Sequence, residues 1–500
     1  MAPIASVWKE GTQQRSFPIL NRDISVDVAI IGGGITGITT AYQLAKAGMK
    51  VAVLEARTIG EGSTGFSTGN LYTIPGSEGL HTIEQKWGGE HAKQVVQSRA
   101  AAIDFIEARI REFNINCGFL HVPWCLFSAH EESASYIEKE RAAAERAGLT
   151  TSDFIPLDIE INTGFSIANQ AQFNPLQYTT GLAQRIQSDS CLLFEHTKML
   201  EYKEGEPCLI TTDRGKVTAS AVVMATHSPK GLYFVHSSME PYREYAIAVT
   251  LTGAYPPNGT YWDMKSKQHY SMRTYDTARG KVLLLLGEKH KVGTLTHNES
   301  CFEKLEIFAR EHFEVESVVY RWAAQQYQPA DGLPFIGKSS GSTKTYIATG
   351  FSADGLVYGT LAAMIISDEI IGKANPWHKT YTASRVTPIA SATNYIKANA
   401  SVAYSLVKDY LFKEAAKSFS EVAANEGKII EIKGEKCAVH RDHSGNLSIV
   451  SAVCPHMGCI VHWNSSEQSW DCPCHGSRFT TQGEVIEGPA IQALDSLYIL

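Results

Sequence analysis

Residues 26–56 read VDVAIIGGGITGITTAYQLAKAGMKVAVLEA, and this stretch decides the architecture of the N-terminal body. VDVAIIG is apolar enough for a buried strand. ITGITTAYQLAKAG has helical length and spacing, with Gly48 placed to close its C-terminus. MKVAVLEA is a second strand. Between the first strand and the helix stand Gly32, Gly34 and Gly37 in a G-x-G-x-x-G pattern. The first permits a tight turn, the second lets a pyrophosphate approach the backbone, and the third lets helix pack closely on strand. Ile35 and Thr36 open the helix, whose free N–H groups and dipole favour an anion. Glu55, followed by Ala56 and Arg57, ends the second strand where a carboxylate can hold ribose hydroxyls. Together these features predict a dinucleotide site. A Gly-rich turn in a nucleotide-free α/β domain is the alternative.

Outward from this unit, the 500-residue chain predicts about three structural units at ~150 residues each. Hydrophobic residues make up 44% and charged residues 19%, which supports large cores and excludes wholesale disorder. A net charge of -7 excludes a general nucleic-acid binder, which needs a basic face. No apolar run is long enough for a membrane span or a secretory signal, so a cytoplasmic location is the default expectation. Cys117, Cys125, Cys191, Cys208 and Cys301 are scattered singly, which fits a reducing compartment.

Helical spacing covers 91–113, and a charged, Ala-rich surface helix is expected over 131–147. Strand-like segments (CLITT, VTASAVVMAT, EYAIAVTL, KVLLLLG) fill 200–290. TYIATGFSADGL, at 345–356, is another strand and Gly turn, with a helix after it. Pro376 ends this body. Residues 376–419 read as a linker containing a helical segment at 391–417, and 420–500 as a small all-β module.

Four segments resemble, in order, the D-amino-acid oxidase, glycine oxidase and sarcosine oxidase superfamily. They are GEGSTGFSTGNL (60–71), VVMATH (222–227), DGLPFIG (331–337) and ATGFSADGL (348–356). The resemblance implies an FAD domain (about 25–85, 180–230 and 330–375) interleaved with a mixed-sheet substrate domain (about 86–180 and 231–330) that roofs the flavin. Besides the Gly-rich turn and Glu55 to Arg57, it implies FAD contacts from Ser63, Thr64, Gly69, Asn70 and Leu71. Met199, Ala225 and Thr226 would add further contacts, as would Gly350, Phe351, Asp354, Gly355 and Leu356 in the last loop. In such enzymes a carbon bearing nitrogen loses hydride to the flavin, giving an imine that water hydrolyses; the cofactor carries the redox chemistry.

The departures matter. Ser63-Thr64-Gly65-Phe66 lacks the histidine to which some relatives attach FAD, and 320–330 lacks a cysteine, so non-covalent FAD is expected. Glycine-oxidase-like members place a carboxylate-pairing Arg shortly before DGLPFIG; here the segment is WAAQQYQ, with Gln326 near that place. An amine or N-methyl amine becomes as plausible as an amino acid. Arg273 is a possible substitute anchor, and Tyr245 and Tyr270 are further candidates for the roof.

Five of the ten cysteines (Cys437, Cys454, Cys459, Cys472 and Cys474) lie beyond residue 436. CPHMGC (454–459) and CPCHGS (472–477) each offer one Cys and one His as ligands: Cys454 with His456, and Cys472 with His475. Two thiolates and two imidazoles suit tetrahedral zinc or a Rieske [2Fe–2S] centre, and one of each per loop favours the second. Both loops resemble respiratory and photosynthetic Rieske proteins. That resemblance implies a Cys459–Cys474 disulfide bracing the loops and a Ser477 hydrogen bond to the cluster. Where high-potential members carry Tyr, this chain has Phe479, so a potential below the top of the range is expected. Cys437 reads as a buried thiol.

A flavin accepts two electrons and a Rieske centre one. Their fusion predicts an amine dehydrogenase passing electrons through the cluster to an external one-electron acceptor. An oxygen-consuming oxidase is less favoured. The alternatives are a reductase feeding a separate oxygenase, which would need a nicotinamide site that the single G-x-G-x-x-G does not supply, and a redox sensor.

Overall fold

The computed structural model describes residues 4–11, 16–231, 233–265, 268–278, 280–385 and 418–497, together with 396, 399, 400 and 402. The helix expected over 391–417 lies largely outside these residues.

Ile24–Ile31 is the expected apolar strand and forms the middle of the first sheet. It pairs in parallel with Val51–Leu54 on one side and Lys216–Met224 on the other. Cys191–Phe194 extends the first side; Thr345–Thr349 and Phe335–Lys338 extend the second. Near-complete burial of Val51–Leu54 explains its unbroken apolar run. Helix Ile35–Lys46 starts directly after Gly34. Gly32 has φ +107°, and a Cβ there would stand 2.5 Å from the Ala225 carbonyl oxygen. A Cβ on Gly37 would stand 2.0 Å from the Gly32 oxygen, so only glycine lets the helix sit against the turn. Helix Gly355–Ile370 packs on Ile35–Lys46 and is buried along most of its length.

The second sheet has eight strands: Val315–Pro329, Met239–Leu251, Gly280–Lys291, Gln268–Thr277, Thr260–Lys265, Leu120–Ser128, Thr163–Gln172 and Asn70–Leu71. One face packs on helix Glu299–His312 through Ile247, Val249, Met272, Leu283 and Leu285. Alternation along the strands directs Ala246, Ala248, Leu284 and Leu286 to the other face. Strands of both sheets alternate along the chain, giving the expected interleaved α/β body.

The last module is all-β: Glu426–Ile432, Glu435–Arg441 and Leu447–Ser451 form one antiparallel sheet, and four short strands from His462 to Glu487 form another. Cys437 is buried in the first, as expected of a structural thiol.

The helix expected over 131–147 is observed at Ala134–Arg146 but is not a plain surface helix. Ile137, Ala143 and Ala144 are buried, and the buried Glu140 accepts from the Leu80 N–H (2.7 Å) and the His81 N–H (3.2 Å). A carboxylate serving a neighbouring helix start is indistinguishable, in sequence, from a solvated one.

Candidate active site

A pocket opens at the carboxyl ends of the parallel strands. Gly32, Gly34, Ile35 and Thr36 line it from the first turn of the helix; Glu55, Ala56, Arg57, Ser63 and Thr64 continue the wall. Met199, Ala225, Thr226, Phe351, Gly355 and Leu356 complete the expected set found there. Glu55 accepts from the N–H of Gly33 (2.7 Å) and of Arg57 (2.8 Å), which fixes its carboxylate at the strand end. Burial pushes its carboxyl pKa up despite those bonds. The Thr64 hydroxyl accepts from the Ile35 N–H at 3.1 Å, tying the second loop to the helix start.

Six expected contacts do not line this pocket. Gly37 is covered by the turn it supports. Gly69, Asn70 and Leu71 belong to the edge of the second sheet, where Asn70 pairs with Gln172. Gly350 faces Pro329 and Met239 instead. Asp354 is buried in an ion pair with Arg99 (3.1 Å) and accepts from the Gly76 N–H (3.0 Å). Its Oδ2 braces the loop, and its Oδ1 is buried without a hydrogen-bond partner.

His227, the last residue of VVMATH, also lines the pocket. Its φ is +67°, in the left-handed region that favours the glycine found at this place in the resembled pattern. Its Nδ1 lies 3.0 Å from the Ser63 hydroxyl, and its ring packs edge-on against Tyr327 at 4.9 Å. Burial leads the lowering of its pKa.

Over the pocket, the second sheet presents Glu244 and Gln326, joined by a 2.8 Å bond from Gln326 Nε2 to Glu244 Oε2. Arg273 shares this face of the sheet. Tyr245 and Tyr270 do not. They point to the opposite side, where Tyr245 meets Phe302 (5.0 Å) and Tyr270 stacks on Phe308 (4.3 Å) of helix Glu299–His312. Strand parity decides this, and a one-residue uncertainty in register reverses it.

In the C-terminal module, Cys454, His456, Cys472 and His475 converge from their two loops. The rings of His456 and His475 lie 5.0 Å apart. A hydrogen bond from the Cys472 thiol leads the interactions that lower the Cys454 pKa, against burial; the N–H groups of His456 and Met457 and the Ser477 hydroxyl add to it. Cys459 and Cys474 form a disulfide, as the resemblance implied. His456 Nε2 and His475 Nδ1 are buried without hydrogen-bond partners. Two thiols cradled by N–H donors and two imidazoles with unfilled nitrogens fit a Cys2His2 cluster. The pocket fits FAD on the same kind of observation. Its Gly-rich floor meets a helix N-terminus, and Gln325, which lines it, leaves Oε1 buried without a partner.

The two sites touch. Gln325 Nε2 donates to the carbonyl oxygen of Gly476, next to His475, at 2.7 Å. His236 is wedged against both ligand histidines, 5.1 Å from the His456 ring and 6.2 Å from His475. Its Nε2 meets the Ser228 hydroxyl at 3.2 Å, one residue beyond pocket-lining His227. Val485, Ile486, Glu487, Ala490 and Ile491 of the module wall the flavin pocket itself. The buried Arg243 pairs with Glu467 and with Glu487 (3.0 Å), and Arg478 pairs with both carboxylates. Lys230 Nζ donates to the carbonyls of Gly488 (2.5 Å) and Ala490 (3.2 Å). None of this interface was legible in the sequence.

Fold and site define a flavoprotein joined to an iron–sulfur module, and comparison with known proteins agrees. Residues 27–369 match the family described as FAD dependent oxidoreductase, and residues 414–498 match the Rieske [2Fe-2S] domain. The chain belongs to the FAD-dependent oxidoreductase family and carries a C-terminal Rieske domain, which together imply FAD and a [2Fe–2S] cluster as cofactors.

The chain is 34% identical over 499 residues to the putative Rieske 2Fe-2S iron-sulfur protein YhfW of Bacillus subtilis, covering 98% of this chain and 97% of that protein. It is 29% identical over 224 residues to γ-glutamylputrescine oxidoreductase of Escherichia coli, covering 43% of this chain and 52% of that one. Glycine oxidase from Geobacillus kaustophilus shares the fold of the first body, with a TM-score of 0.58 at 18% identity over 72% of this chain and 99% of that one. The family match makes the chain an FAD-dependent oxidoreductase, related in sequence to γ-glutamylputrescine oxidoreductase and in fold to glycine oxidase. No helix among the described residues is long and apolar enough to cross a membrane.

Proposed function

We propose that this protein dehydrogenates a small amine, N-methyl amine or amino acid to an imine, and sends the electrons through the Rieske cluster to an external one-electron acceptor. When bound, FAD supplies hydride acceptance from the carbon next to nitrogen, and the [2Fe–2S] cluster supplies one-electron transfer. The chain's own residues do the rest. Helix Ile35–Lys46 and Glu55 would hold the dinucleotide's pyrophosphate and ribose. The second sheet would orient the substrate and exclude water from it. Cys454, His456, Cys472 and His475 would ligate the cluster, with Ser477 donating to it.

The observation that carries this reading is the bond from Gln325 to Gly476. It joins a residue of the flavin pocket directly to the loop bearing Cys472 and His475. Such proximity suits transfer between the cofactors within one chain. Anaerobic mixing with a library of primary and N-methyl amines, read by bleaching of the flavin band, tests the reaction. Bleaching by an amine and not by NADH is the expected result. Bleaching by NADH alone would favour the reductase alternative.

A further inference from the structure

Part of the flavin pocket's wall comes from the Rieske module: Val485, Ile486, Glu487, Ala490 and Ile491 all line it. All five lie beyond residues 27–369, the stretch that matches the FAD-dependent oxidoreductase family. This chain therefore completes its flavin pocket with a second domain.

Lys230 stands where that wall is joined to the flavin body. It lines the pocket, and its Nζ donates to the carbonyl oxygens of Gly488 (2.5 Å) and Ala490 (3.2 Å). The N–H of the next residue, Gly231, donates to the Pro489 carbonyl at 3.0 Å. Three consecutive carbonyls of the module thus accept from two consecutive residues of the flavin body. On its other side the clasped segment covers the second cluster loop. The Ala490 N–H donates to Ser477 Oγ at 3.1 Å, and a Cβ on Gly488 would stand 2.5 Å from the Gly476 oxygen.

An ammonium group has three N–H donors, and the two carbonyls use two of them. Lys230 also feels the charges of Lys198, Arg57 and Glu55, which line the dinucleotide end of the pocket. Burial pulls its pKa down to about 8, so the nearby carboxylates of Glu487 and Glu55 do not offset its desolvation in full. The pyrophosphate of FAD is an anion that this pocket would receive.

We propose that the FAD site is shared between the two domains, with Lys230 as the link, so that docking of the module strengthens FAD binding and bound FAD strengthens docking. A wall that exists only in the docked state gives that state the higher affinity for FAD. Such a difference acts in both directions by the same factor. Lys230 is then a positioning residue for both cofactor sites. The coupling is independent of the substrate and goes beyond the proposed amine dehydrogenation.

The test uses the full chain with its cluster, stripped of FAD and then reloaded, and needs no substrate. Pro241 is buried against Gly476 of the module and does not line the flavin pocket. In a Pro241→Cys background, the rate of labelling by a thiol reagent reports how often the module lifts away. The native free cysteines are buried, and the parent protein gives their contribution. Saturating FAD should slow labelling about tenfold. Lys230→Met should reduce that factor to about threefold or less. With Pro241 intact, Lys230→Met should also weaken FAD binding about tenfold, read by quenching of FAD fluorescence. Lys230→Arg keeps the charge and should restore part of both effects. A lysine that merely props up the module would speed labelling equally with and without FAD, and the factor would not change. Cluster absorbance reports that the module is folded in each variant, so the FAD titration stands even if Pro241→Cys fails to fold. The proposal is overturned if FAD slows labelling by less than about twofold, if Lys230→Met keeps the parent's factor, or if its FAD affinity stays within about twofold of the parent's.

Discussion

The side-chain amide of Gln325 donates a 2.7 Å hydrogen bond to the backbone carbonyl of Gly476. Gln325 lines the flavin pocket, and Gly476 follows His475 in the second cluster loop. The fit there is close: a Cβ on Gly476 would lie 2.7 Å from Pro241 Cβ and 2.8 Å from Gln325 Nε2. Gln325→Ala should therefore slow reduction of the cluster by reduced flavin about tenfold, a larger factor than any change in flavin reduction by substrate. Anaerobic stopped-flow, following the two cofactors separately, reads both rates.

The interface is held by charge as much as by packing. Arg243 is buried between Glu467 and Glu487, while Arg478 pairs with both from within the module. Arg243→Ala should cost about 2 kcal/mol in the transition that reports undocking, because Arg478 still compensates part of the abandoned charge. Differential calorimetry of the parent and the variant measures it.

The same cluster makes docking sensitive to acid. Burial alone would raise the Glu487 carboxyl pKa, but Arg478 and Arg243 outweigh it and hold it at about 2. A carboxylate whose pKa is depressed in the folded state contributes stability that is present above its unfolded value, near 4.3, and is lost as pH falls toward the folded value. Docking should weaken between about pH 4.5 and 2, and Glu487→Gln should flatten that part of the profile. Limited proteolysis across this range follows the module's release.

Much of the site was readable because its chemistry is local. The cluster loops place ligands and disulfide within a few residues of one another, and G-x-G-x-x-G sets its own turn. The roof was harder. Glu244 and Tyr245 are neighbours on one strand, yet only Glu244 faces the pocket, since successive side chains there point to opposite faces of the sheet. The Arg99–Asp354 pair joins residues on distant segments, so no local pattern marks Asp354 as the partner of Arg99. Docking of the module was invisible for the same reason: no local pattern marks Gly476 as the partner of Gln325.

Cluster potential gives a further prediction. Ser477 Oγ accepts from the Ala490 N–H at 3.1 Å, which leaves its proton for the Cys454 sulfur. Phe479 is fully buried and has no hydroxyl to donate. Ser477→Ala should lower the potential and Phe479→Tyr should raise it, each by about 40 mV, the one-electron equivalent of roughly 1 kcal/mol. Redox titration of the cluster spectrum measures both shifts.

The turn beneath the pocket leaves no room for a side chain at Gly37. Gly37→Ala places a methyl group 2.0 Å from the Gly32 oxygen. The variant should purify without FAD while keeping the cluster's absorbance, since the C-terminal module has its own core. Acid denaturation of the parent protein should release its FAD entirely. Flavin retained on the chain would point to His227, which lines the pocket.

The central claim is that electrons from the flavin reach the cluster within one chain. Flash photoreduction of the flavin under anaerobic conditions, with the cluster followed by freeze-quench EPR, tests it without knowledge of the substrate. The account predicts that the reduced-cluster signal grows as reduced flavin decays, at a rate independent of protein concentration. A cluster that stays oxidised beside fully reduced flavin, or one whose reduction rate scales with protein concentration, would contradict it.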